Sequence, residues 1–458
     1  MMHSVYKCGG RFKKVEVEEN EDIISNLPSC LMDHILSFLP TKYAVATSVL
    51  STKWKYLWTS ITNLDFDDEL LVEPINPQEC TEQKLRSVEM SFINFIDRVL
   101  LHNISYLHTF RLRCTRSYDV SHLNVLVTTV LARKLHELHL FFQMEYYNGL
   151  AREVFTCTNL EVLELVGRFV LNVPTLVCLQ NLKILLINKL GFSDDESIHR
   201  LLSGCPLLEE LSIKRCDLKN ISVLCISAPA LKSLVINCWS KGGYKLVLNT
   251  PNLQDLEYYD YVAKGYLMNK LNGLVNADIS LFLRHEVVHD NSVEELVAEF
   301  VEGISEVQRL RLSYYDSTKL CRSPLPIFVH LTCLDISCKN YLNVFWKSLL
   351  DFLESSPQLE KLIFAGLLSQ EEVEENQTTY SWYPPEYVPS CLLFHLKDIY
   401  IRWFKGEIDE LKMVEYFLKN SKVLEKLMIK SFIDRKSAEI CTLQTLPRGS
   451  EKCRVVVF

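Results

Sequence analysis

The chain has no uninterrupted apolar run of the roughly 18 residues that a membrane-spanning helix requires. Residues 1–22 contain no apolar core of the length found in secretory signal peptides. The formal net charge is −8, and no basic stripe is present that would contact the phosphates of a nucleic acid. We therefore expect no membrane partner and no nucleic-acid partner, and we expect the protein in the cytosol, the nucleus or both.

Sequence signatures of cofactor sites and catalytic sites are also missing. The 16 cysteines are scattered from Cys8 to Cys453 without a C-x-x-C pair, so we interpret them as small buried hydrophobes of a reducing compartment. The chain has no G-x-x-x-x-G-K-[ST] or G-x-G-x-x-G phosphate loop and no G-x-S-x-G nucleophile elbow. We therefore predict no cofactor, no metal and no catalytic activity of its own.

One motif favours an enzyme. His285, Glu286 and His289 form an H-E-x-x-H sequence, which on a helix can hold zinc beside a general base. The residues before it alternate like a strand, and Ser292 with Glu295 forms a capping box that begins a new helix. The two histidines therefore fall at a strand end and a loop, where they need not share a face. Stoichiometric zinc, lost on changing both histidines to alanine, would restore this alternative.

The region from Asp22 to Trp58 carries more large apolar side chains than a segment of about 40 residues can bury by itself. Pro28 suits the first turn of a helix, Pro40 ends that helix, and Thr41 and Ser51 are suitable caps for two more. The pattern predicts three short helices with an apolar patch left open for a partner. A helical subdomain packed on the rest of the chain is the alternative.

This region resembles the F-box of the large plant F-box family. The matching residues are Leu27, Pro28, Leu31, Ile35, Leu36, Leu39, Pro40, Val45, Ser48, Leu50, Ser51, Trp54, Leu57 and Trp58, followed by Leu64, Phe66, Asp67 and Asp68. Thr52 and Lys53 depart mildly from the basic residues that are common in the family. The resemblance implies that these helices dock a Skp-type adaptor and, through it, a cullin. The predicted adaptor-binding residues are Leu27, Pro28, Leu31, Ile35, Leu36, Leu39, Pro40, Val45, Leu50, Trp54, Leu57 and Trp58, although Trp54 and Trp58 alternatively hold the helices together.

A six-residue pattern, apolar-x-x-apolar-x-apolar, recurs through most of the chain at intervals of mostly 21 to 28 residues. Its copies begin at Leu107, Leu135, Leu160, Leu182, Leu208, Leu231, Leu253, Val307, Leu331, Leu359, Leu396 and Leu424, with a degraded copy at Leu274. Each copy predicts a short strand that cannot bury its apolar row alone, so stacked copies form a parallel sheet. These intervals are typical of leucine-rich repeats. An α/β domain with alternating helices and strands is the alternative.

Stacked strands leave their non-leucine positions on one open, concave surface. The charges there alternate in sign along the array, which favours a specific protein or peptide over a uniformly charged polymer. The candidate substrate-binding residues are Arg111, Arg113, His139, Glu210, Lys214, Asp255, Glu257, Tyr259, Arg309, Arg311, Asp335, Tyr400 and Arg402. A small-molecule pocket has no residue signature in this sequence.

The C-terminal part is similar to the plant FBD domain, from Cys391 to Ile429 and onward through LQTLPRGSEKCRVVVF to Phe458. An F-box, repeats and an FBD domain in this order resemble the plant F-box/FBD/LRR-repeat proteins. The resemblance implies an α/β fold: a three-helix F-box, an irregular leucine-rich-repeat solenoid of parallel strands with helices on its convex side, and an FBD cap. The expected boundaries are a flexible tail at 1–20, the F-box at 21–68, a linker and bridging helix at 69–104, the repeats at 105–390 and the FBD domain at 391–458.

The function implied by this resemblance is that of a substrate-recruiting subunit of an SCF-type E3 ubiquitin ligase. The F-box would dock the Skp-type adaptor, and the repeats would bind a target protein of unknown identity. A leucine-rich-repeat interaction scaffold outside any ligase is the alternative. If cullin does not co-purify with the protein even when a Skp-type adaptor is supplied, that result would favour the alternative.

Overall fold

One parallel sheet of fifteen strands dominates the computed structural model. The structure describes residues 27–71, 81–103, 106–143, 149–240, 243–269, 271–283, 292–314, 325–338, 342–365, 384–431 and 438–458. The H-E-x-x-H motif at 285–289 and the expected flexible tail at 1–20 lie outside these ranges. No helix among the described residues is long and apolar enough to cross a membrane.

The strands of the large sheet follow one another in sequence order. They are β1 (Asn63–Asp67), β2 (Thr109–Cys114), β3 (Glu137–Phe142), β4 (Val162–Gly167), β6 (Ile184–Asn188), β8 (Glu210–Lys214), β10 (Ser233–Asn237), β12 (Asp255–Tyr261), β14 (Asn276–Phe282), β15 (Arg309–Tyr314), β16 (Cys333–Cys338), β17 (Lys361–Ala365), β18 (Asp398–Phe404), β19 (Lys426–Ser431) and β20 (Arg454–Val457). All neighbouring pairs are parallel, which is the arrangement that stacked repeats produce.

The predicted repeats account for every strand of this sheet from β2 to β19. Each strand begins two residues after the leading apolar residue of one copy, and that leading residue is buried in all thirteen copies. The leading residue therefore packs beneath the start of its strand, and the equivalent residue takes the same position in each unit. Ile61 plays the same role before β1, so the sheet begins inside the F-box-like region rather than after it.

The residues before β2 form a small helical head and a bridging helix. We define the head as residues 27–62, which contain α1 (Ser29–Ser37), α2 (Thr41–Ala46) and two 3₁₀ turns (Thr47–Val49 and Leu57–Ser60). The sequence predicted a third helix in this region, and the structure has only the 3₁₀ turn Leu57–Ser60 in its place. Helix α3 (Asp68–Leu71) follows β1, and α4 (Glu82–His102) buries Phe92, Ile96 and Val99 as its apolar spacing predicts.

Helices cover the buried side of the sheet where the repeats are long. They are α5 (Val120–Leu131), α6 (Asp195–Ser203), α7 (Ser292–Gly303), α8 (Leu342–Glu354), α9 (Ser390–Phe394), α10 (Ile408–Asn420) and α11 (Ala438–Thr445). The ring centroids of Phe364 on β17 and Phe417 on α10 lie 6.0 Å apart, which shows which face of the sheet α10 covers. The opposite face of the sheet is called the open face below.

The middle repeats use strands instead of the expected helices on that buried side. Their short return segments are β5 (Val170–Leu171), β7 (Gly191–Phe192), β9 (Val223–Ser227), β11 (Lys245–Asn249) and β13 (Gly265–Met268). Strands β9, β11 and β13 form a three-stranded parallel sheet. Between Leu208 and Leu274 the leading residues are only 21 to 23 residues apart. A strand advances about 3.3 Å per residue against 1.5 Å for a helix, so the shorter repeats return as extended chain.

Candidate functional site

Helix α1 carries two apolar stripes on different faces. Met32 and Leu36 lie one helical turn apart and are both fully buried. Leu31, Ile35 and Phe38 follow the spacing i, i+4, i+7 and leave 48%, 43% and 74% of their surfaces exposed. The first stripe holds the head together, and the second, which we call the outer stripe, remains exposed. Exposed aliphatic and aromatic side chains in a row are characteristic of a protein-binding surface.

Specific contacts fix the orientation of helix α1. Pro28 occupies the N-cap, and its carbonyl oxygen accepts from the backbone N–H groups of the first turn at 3.0 and 3.2 Å. The Lys53 ammonium donates to the carbonyl oxygen of Leu27 at 2.9 Å, and the Ser60 hydroxyl donates to the Asp33 carboxylate at 3.3 Å. These bonds tie both the start and the middle of α1 to the turns that precede β1. The outer stripe is therefore presented on a fixed support.

A second exposed apolar segment follows helix α2. Val49 is 85% exposed, and the adjacent Leu50 is also exposed.

Thr41, which the sequence suggested as a helix cap, is fully buried, and its hydroxyl accepts from the backbone N–H of Asp65 at 2.7 Å. Pro40 is the N-cap of α2 and makes no side-chain capping bond. Thr41 therefore joins the head to the first strand of the sheet.

A buried carboxylate strengthens the same junction. Asp68, the first residue of α3 directly after β1, is fully buried. Its Oδ2 accepts from the backbone N–H of Thr115, the backbone N–H of Arg116 and the Tyr118 hydroxyl at 2.9, 3.2 and 3.0 Å. Its Oδ1 accepts from the Thr115 hydroxyl at 2.9 Å. Burial and the neighbouring Asp68 carboxylate raise the pKa of Tyr118 above its usual value, so this phenol stays protonated as a donor.

The open face is a regular grid across its first two rows, because neighbouring strands pair residue by residue there; the register shifts only later, between β18 and β19 after Ile401. The first row runs through Asn63, Thr109, Glu137, Val162, Ile184, Glu210, Ser233, Asp255, Asn276, Arg309, Cys333, Lys361, Asp398, Lys426 and Arg454. The middle row runs two residues later through Asp65, Arg111, His139, Glu164, Leu186, Ser212, Val235, Glu257, Asp278, Arg311, Asp335, Ile363, Tyr400, Met428 and Val456.

Two polar networks lie on this grid. His139 contacts the Glu164 carboxylate through Nδ1 at 2.7 Å and lies 3.7 Å from the Glu137 carboxylate through Nε2. The Thr109 hydroxyl donates to the same Glu137 carboxylate at 2.9 Å. Within the described part of the chain, no group of three His, Cys, Asp or Glu side chains is placed to hold a metal ion. We therefore interpret this first network as a set of hydrogen bonds that orients side chains.

The second network centres on Asp335, which is buried. Its Oδ2 accepts from Arg402 at 2.6 Å and from Arg311 at 3.4 Å, and Arg311 also reaches the Asp278 carboxylate at 2.9 Å. Partial burial and a hydrogen bond to Asp278 raise the pKa of the Tyr259 phenol. The network joins strands from β12 to β18 across the open face, so the charges of Arg311 and Arg402 are largely neutralised within the protein.

Comparison with known proteins agrees with this architecture. Residues 24–65 match the F-box domain, residues 123–270 match the LRR repeats of FBD-associated F-box protein At5g56370, and residues 384–429 match the FBD domain. The FBD-associated F-box protein At1g66310 of Arabidopsis thaliana is 31% identical over 97% of this chain and 99% of its own length. The putative F-box/FBD/LRR-repeat protein At3g49030 is 30% identical over 99% of both chains, and the F-box/LRR-repeat protein At4g14103 is 35% identical over 77% of this chain and 94% of its own; both are also from Arabidopsis thaliana.

The chain belongs to the plant F-box/FBD/LRR-repeat family. The predicted family and fold class are thereby confirmed. The FBD match falls on α9, β18, α10 and β19, so the FBD region of this family member continues the repeat sheet.

The structure sorts the predicted adaptor-binding residues of the F-box into three groups. Pro28, Leu31, Ile35 and Leu50 are exposed. Leu27, Leu39, Pro40, Val45, Leu57 and Trp58 are half-buried. Leu36 and Trp54 are buried at 0% and 2% exposure, so they form the interior of the F-box and cannot be direct contacts. Phe38 and Val49 are exposed apolar residues of the same region that the prediction did not include, although helical spacing from Leu31 and Ile35 would have selected Phe38.

The candidate substrate-binding residues of the repeats all lie on the open face or its edge. Arg111, Arg113, Glu210, Lys214, Glu257, Arg309 and Arg311 are exposed; Asp255, Tyr259, Tyr400 and Arg402 are half-buried. His139 and Asp335 are buried and are held by neighbouring carboxylates or guanidinium groups. These two residues are therefore better placed to orient their neighbours than to contact a target directly.

The net charge of the open face differs between the two parts of the sheet, although the sign changes repeatedly from strand to strand. In strands β1 to β14, the open-face positions carry eight acidic and three basic side chains. The acidic ones are Asp65, Asp67, Glu137, Glu164, Glu210, Asp255, Glu257 and Asp278, and the basic ones are Arg111, Arg113 and Lys214. In strands β15 to β20, the balance reverses to seven basic and two acidic. The basic ones are Arg309, Arg311, Lys361, Arg402, Lys426, Lys430 and Arg454, and the acidic ones are Asp335 and Asp398.

Proposed function

We propose that this protein is the substrate-recruiting subunit of an SCF-type E3 ubiquitin ligase. Its F-box docks a Skp-type adaptor, the adaptor connects it to a cullin, and its repeats bind the target protein. The observation that carries the proposal is the outer stripe of Leu31, Ile35 and Phe38, which stays exposed on a helix whose other apolar face is fully buried. The family assignment supports the same reading, and the cytosol or nucleus is the proposed location.

The outer stripe is large enough to anchor a partner. Burying a Leu, Ile or Phe side chain completely stabilises a complex by about 1.5–3 kcal/mol, and 43% to 74% of the surface of each stripe residue remains to be buried. The three together therefore supply roughly 3 kcal/mol, before Leu50 and Val49 are added. A few central apolar anchors of this kind usually dominate an interface of about 1,600 Å². Pro28 at the start of α1 and the half-buried Leu27, Leu39, Pro40, Val45, Leu57 and Trp58 would form its edge.

The protein itself would perform no bond chemistry in this assembly. A target held on the open face has its lysines tethered close to a charged ubiquitin-conjugating enzyme, which raises their effective concentration at the thioester. The target contacts would come from the exposed and half-buried candidates on the open face, with His139 and Asp335 fixing their neighbours. The catalytic groups belong to the other subunits.

Adaptor capture tests the proposal directly. The double variant Leu31→Lys with Ile35→Lys places two charges on the outer stripe without touching the buried stripe of α1. A matched control is Val125→Lys, which changes an aliphatic residue that is 66% exposed on helix α5, away from the F-box. When a Skp-type adaptor is co-expressed, the wild type and the control should retain it and the double variant should lose it. Equal capture by all three proteins would remove the outer stripe as the docking surface.

A second experiment separates the ligase from a scaffold outside any ligase. The wild-type chain is purified together with a Skp-type adaptor and a cullin, and the composition of the complex is measured by native mass spectrometry. A ternary complex is expected because the adaptor should bridge the other two. If the adaptor binds and cullin remains absent, the scaffold alternative replaces the ligase assignment.

A further inference from the structure

The last six strands of the sheet present a basic edge on the open face. Arg309, Lys361, Lys426 and Arg454 occupy the first row on β15, β17, β19 and β20, and all four are exposed. No carboxylate among the described residues lies within ion-pair distance of any of the four. Asp398, half-buried between Lys361 and Lys426, is the one acidic residue in this part of the row. The edge therefore keeps a net positive charge in a protein whose overall charge is negative.

An apolar row runs beside this basic edge. Ile363, Tyr400, Met428 and Val456 occupy the middle row on β17 to β20, two residues further along each strand. Val456 is exposed and the other three are half-buried. The Tyr400 ring stacks on Phe458 with centroids 6.0 Å apart, which fixes its orientation. A ligand that lies across these strands would meet positive charge along one side and apolar side chains along the other.

The spacing of the basic residues selects a backbone conformation for such a ligand. Neighbouring strands lie about 4.8 Å apart, so Arg309, Lys361 and Lys426, each two strands from the next, are spaced by about 9.6 Å. A polyproline II segment repeats every three residues over about 9.3 Å, so every third side chain points the same way. A β-strand places equivalent side chains about 6.7 or 13 Å apart and cannot match the basic residues one for one.

We propose that this surface binds an extended, acidic segment of the target protein in polyproline II conformation. Acidic side chains at every third position would face the basic edge, and apolar side chains between them would cover the middle row. The inference rests on the proposed function, because it assigns a chemical class to the target of the repeats. Asp398 and the apolar row make a phosphate backbone of nucleic acid a poorer match than a peptide, since such a backbone offers no apolar side chains.

Synthetic peptides test the spacing. The first probe is a fluorescein-labelled peptide of four Glu-Pro-Leu repeats. The second has the same composition, but its four glutamates are contiguous and are followed by the prolines and leucines. Binding to the full-length chain is measured by fluorescence anisotropy, and the repeat peptide should bind about tenfold more tightly than the contiguous one. Raising the salt from about 0.05 to about 0.5 M should weaken it, because exposed charges are screened.

Charge reversal locates the site. Lys361→Glu combined with Lys426→Glu should weaken the binding of the repeat peptide at least about tenfold, since each change replaces an attraction by a repulsion. The matched control is Lys419→Glu combined with Lys422→Glu, which alters the same number of exposed lysines at the end of helix α10, on the other side of the sheet. The control should bind the peptide as the wild type does.

Four results would overturn the inference: no measurable binding of the repeat peptide, equal binding of the two peptides, equal loss in both lysine variants, or displacement of the peptide by single-stranded oligonucleotide at an equal concentration. Adaptor capture is measured on the same preparations. A wild type that captures the adaptor but does not bind the peptide refutes this surface alone. A wild type that binds the peptide but captures no adaptor refutes the proposed ligase function and leaves the surface standing.

Discussion

The junction between the F-box and the sheet should depend on the three donors that share one oxygen of Asp68. Asp68→Asn can keep its amide oxygen at the Oδ2 position, where the backbone N–H groups of Thr115 and Arg116 and the Tyr118 hydroxyl donate. Its NH₂ group then replaces Oδ1, whose one partner among the described residues is the Thr115 hydroxyl, a group that can rotate to accept. Only the charge assistance is lost, which we estimate at about 1 kcal/mol.

Asp68→Ala removes the acceptor altogether. The backbone N–H groups of the half-buried Thr115 and Arg116 and the phenol of the buried Tyr118 then lose their partner, and each group left unsatisfied away from water costs about 1–3 kcal/mol. Because the phenol can reorient, we count the two amides and expect a loss of about 4 kcal/mol. The difference of about 3 kcal/mol between Ala and Asn corresponds to roughly a hundredfold difference in the opening equilibrium of the junction.

Hydrogen exchange is the suitable assay, because a repeat protein opens locally and need not unfold in one step. Exchange of residues 63–71 and 109–118 should accelerate about a hundredfold more in Asp68→Ala than in Asp68→Asn. Residues 396–431, far along the sheet, should exchange as in the wild type and serve as the internal control. Similar protection of the junction in the two variants would show that the oxygen-sharing argument is wrong.

Two further predictions concern the F-box. Leu36→Ala truncates a fully buried side chain, so it should destabilise the F-box by about 2–5 kcal/mol, speed hydrogen exchange across residues 29–60 and lower adaptor capture. The variant Leu31→Lys with Ile35→Lys should lose adaptor capture while its hydrogen exchange stays as in the wild type. Identical exchange in the two variants would refute the distinction between the two stripes. Cys30 is exposed one position before the outer stripe, so bound adaptor should slow its alkylation by iodoacetamide. Cys441 is also exposed and should react at an unchanged rate. Equal protection of both thiols, or protection of neither, would contradict the docking surface.

Most of the repeat architecture could be predicted from the sequence, because one physical requirement recurs. Each leading residue, such as Leu231 or Leu359, must be buried beneath a strand start, and a hydrophobic residue at a regular interval is visible without coordinates. The interval also determines the return segment. A repeat with 28 residues from Leu107 to Leu135 has room for helix α5, and one with 22 residues from Leu231 to Leu253 returns as β11.

The parts that could not be predicted depend on contacts between distant residues. Leu36 and Leu31 are equally apolar in the sequence, and only the packing of α1 against the turn at 57–60 decides which one is buried. Thr41 has the side chain of a helix cap, but its hydroxyl is taken by the backbone of β1.

The direct continuity between the F-box and the sheet has a mechanical consequence. Since β1 belongs to both, the F-box is joined to the sheet through paired backbone, and each strand step adds a rise of about 4.8 Å along the array. The distance along the sheet from β1 to β17 is therefore about 50 Å. A target bound near β17 would therefore lie at a fixed distance from the F-box, and inserting or deleting one repeat would change that distance by one strand spacing.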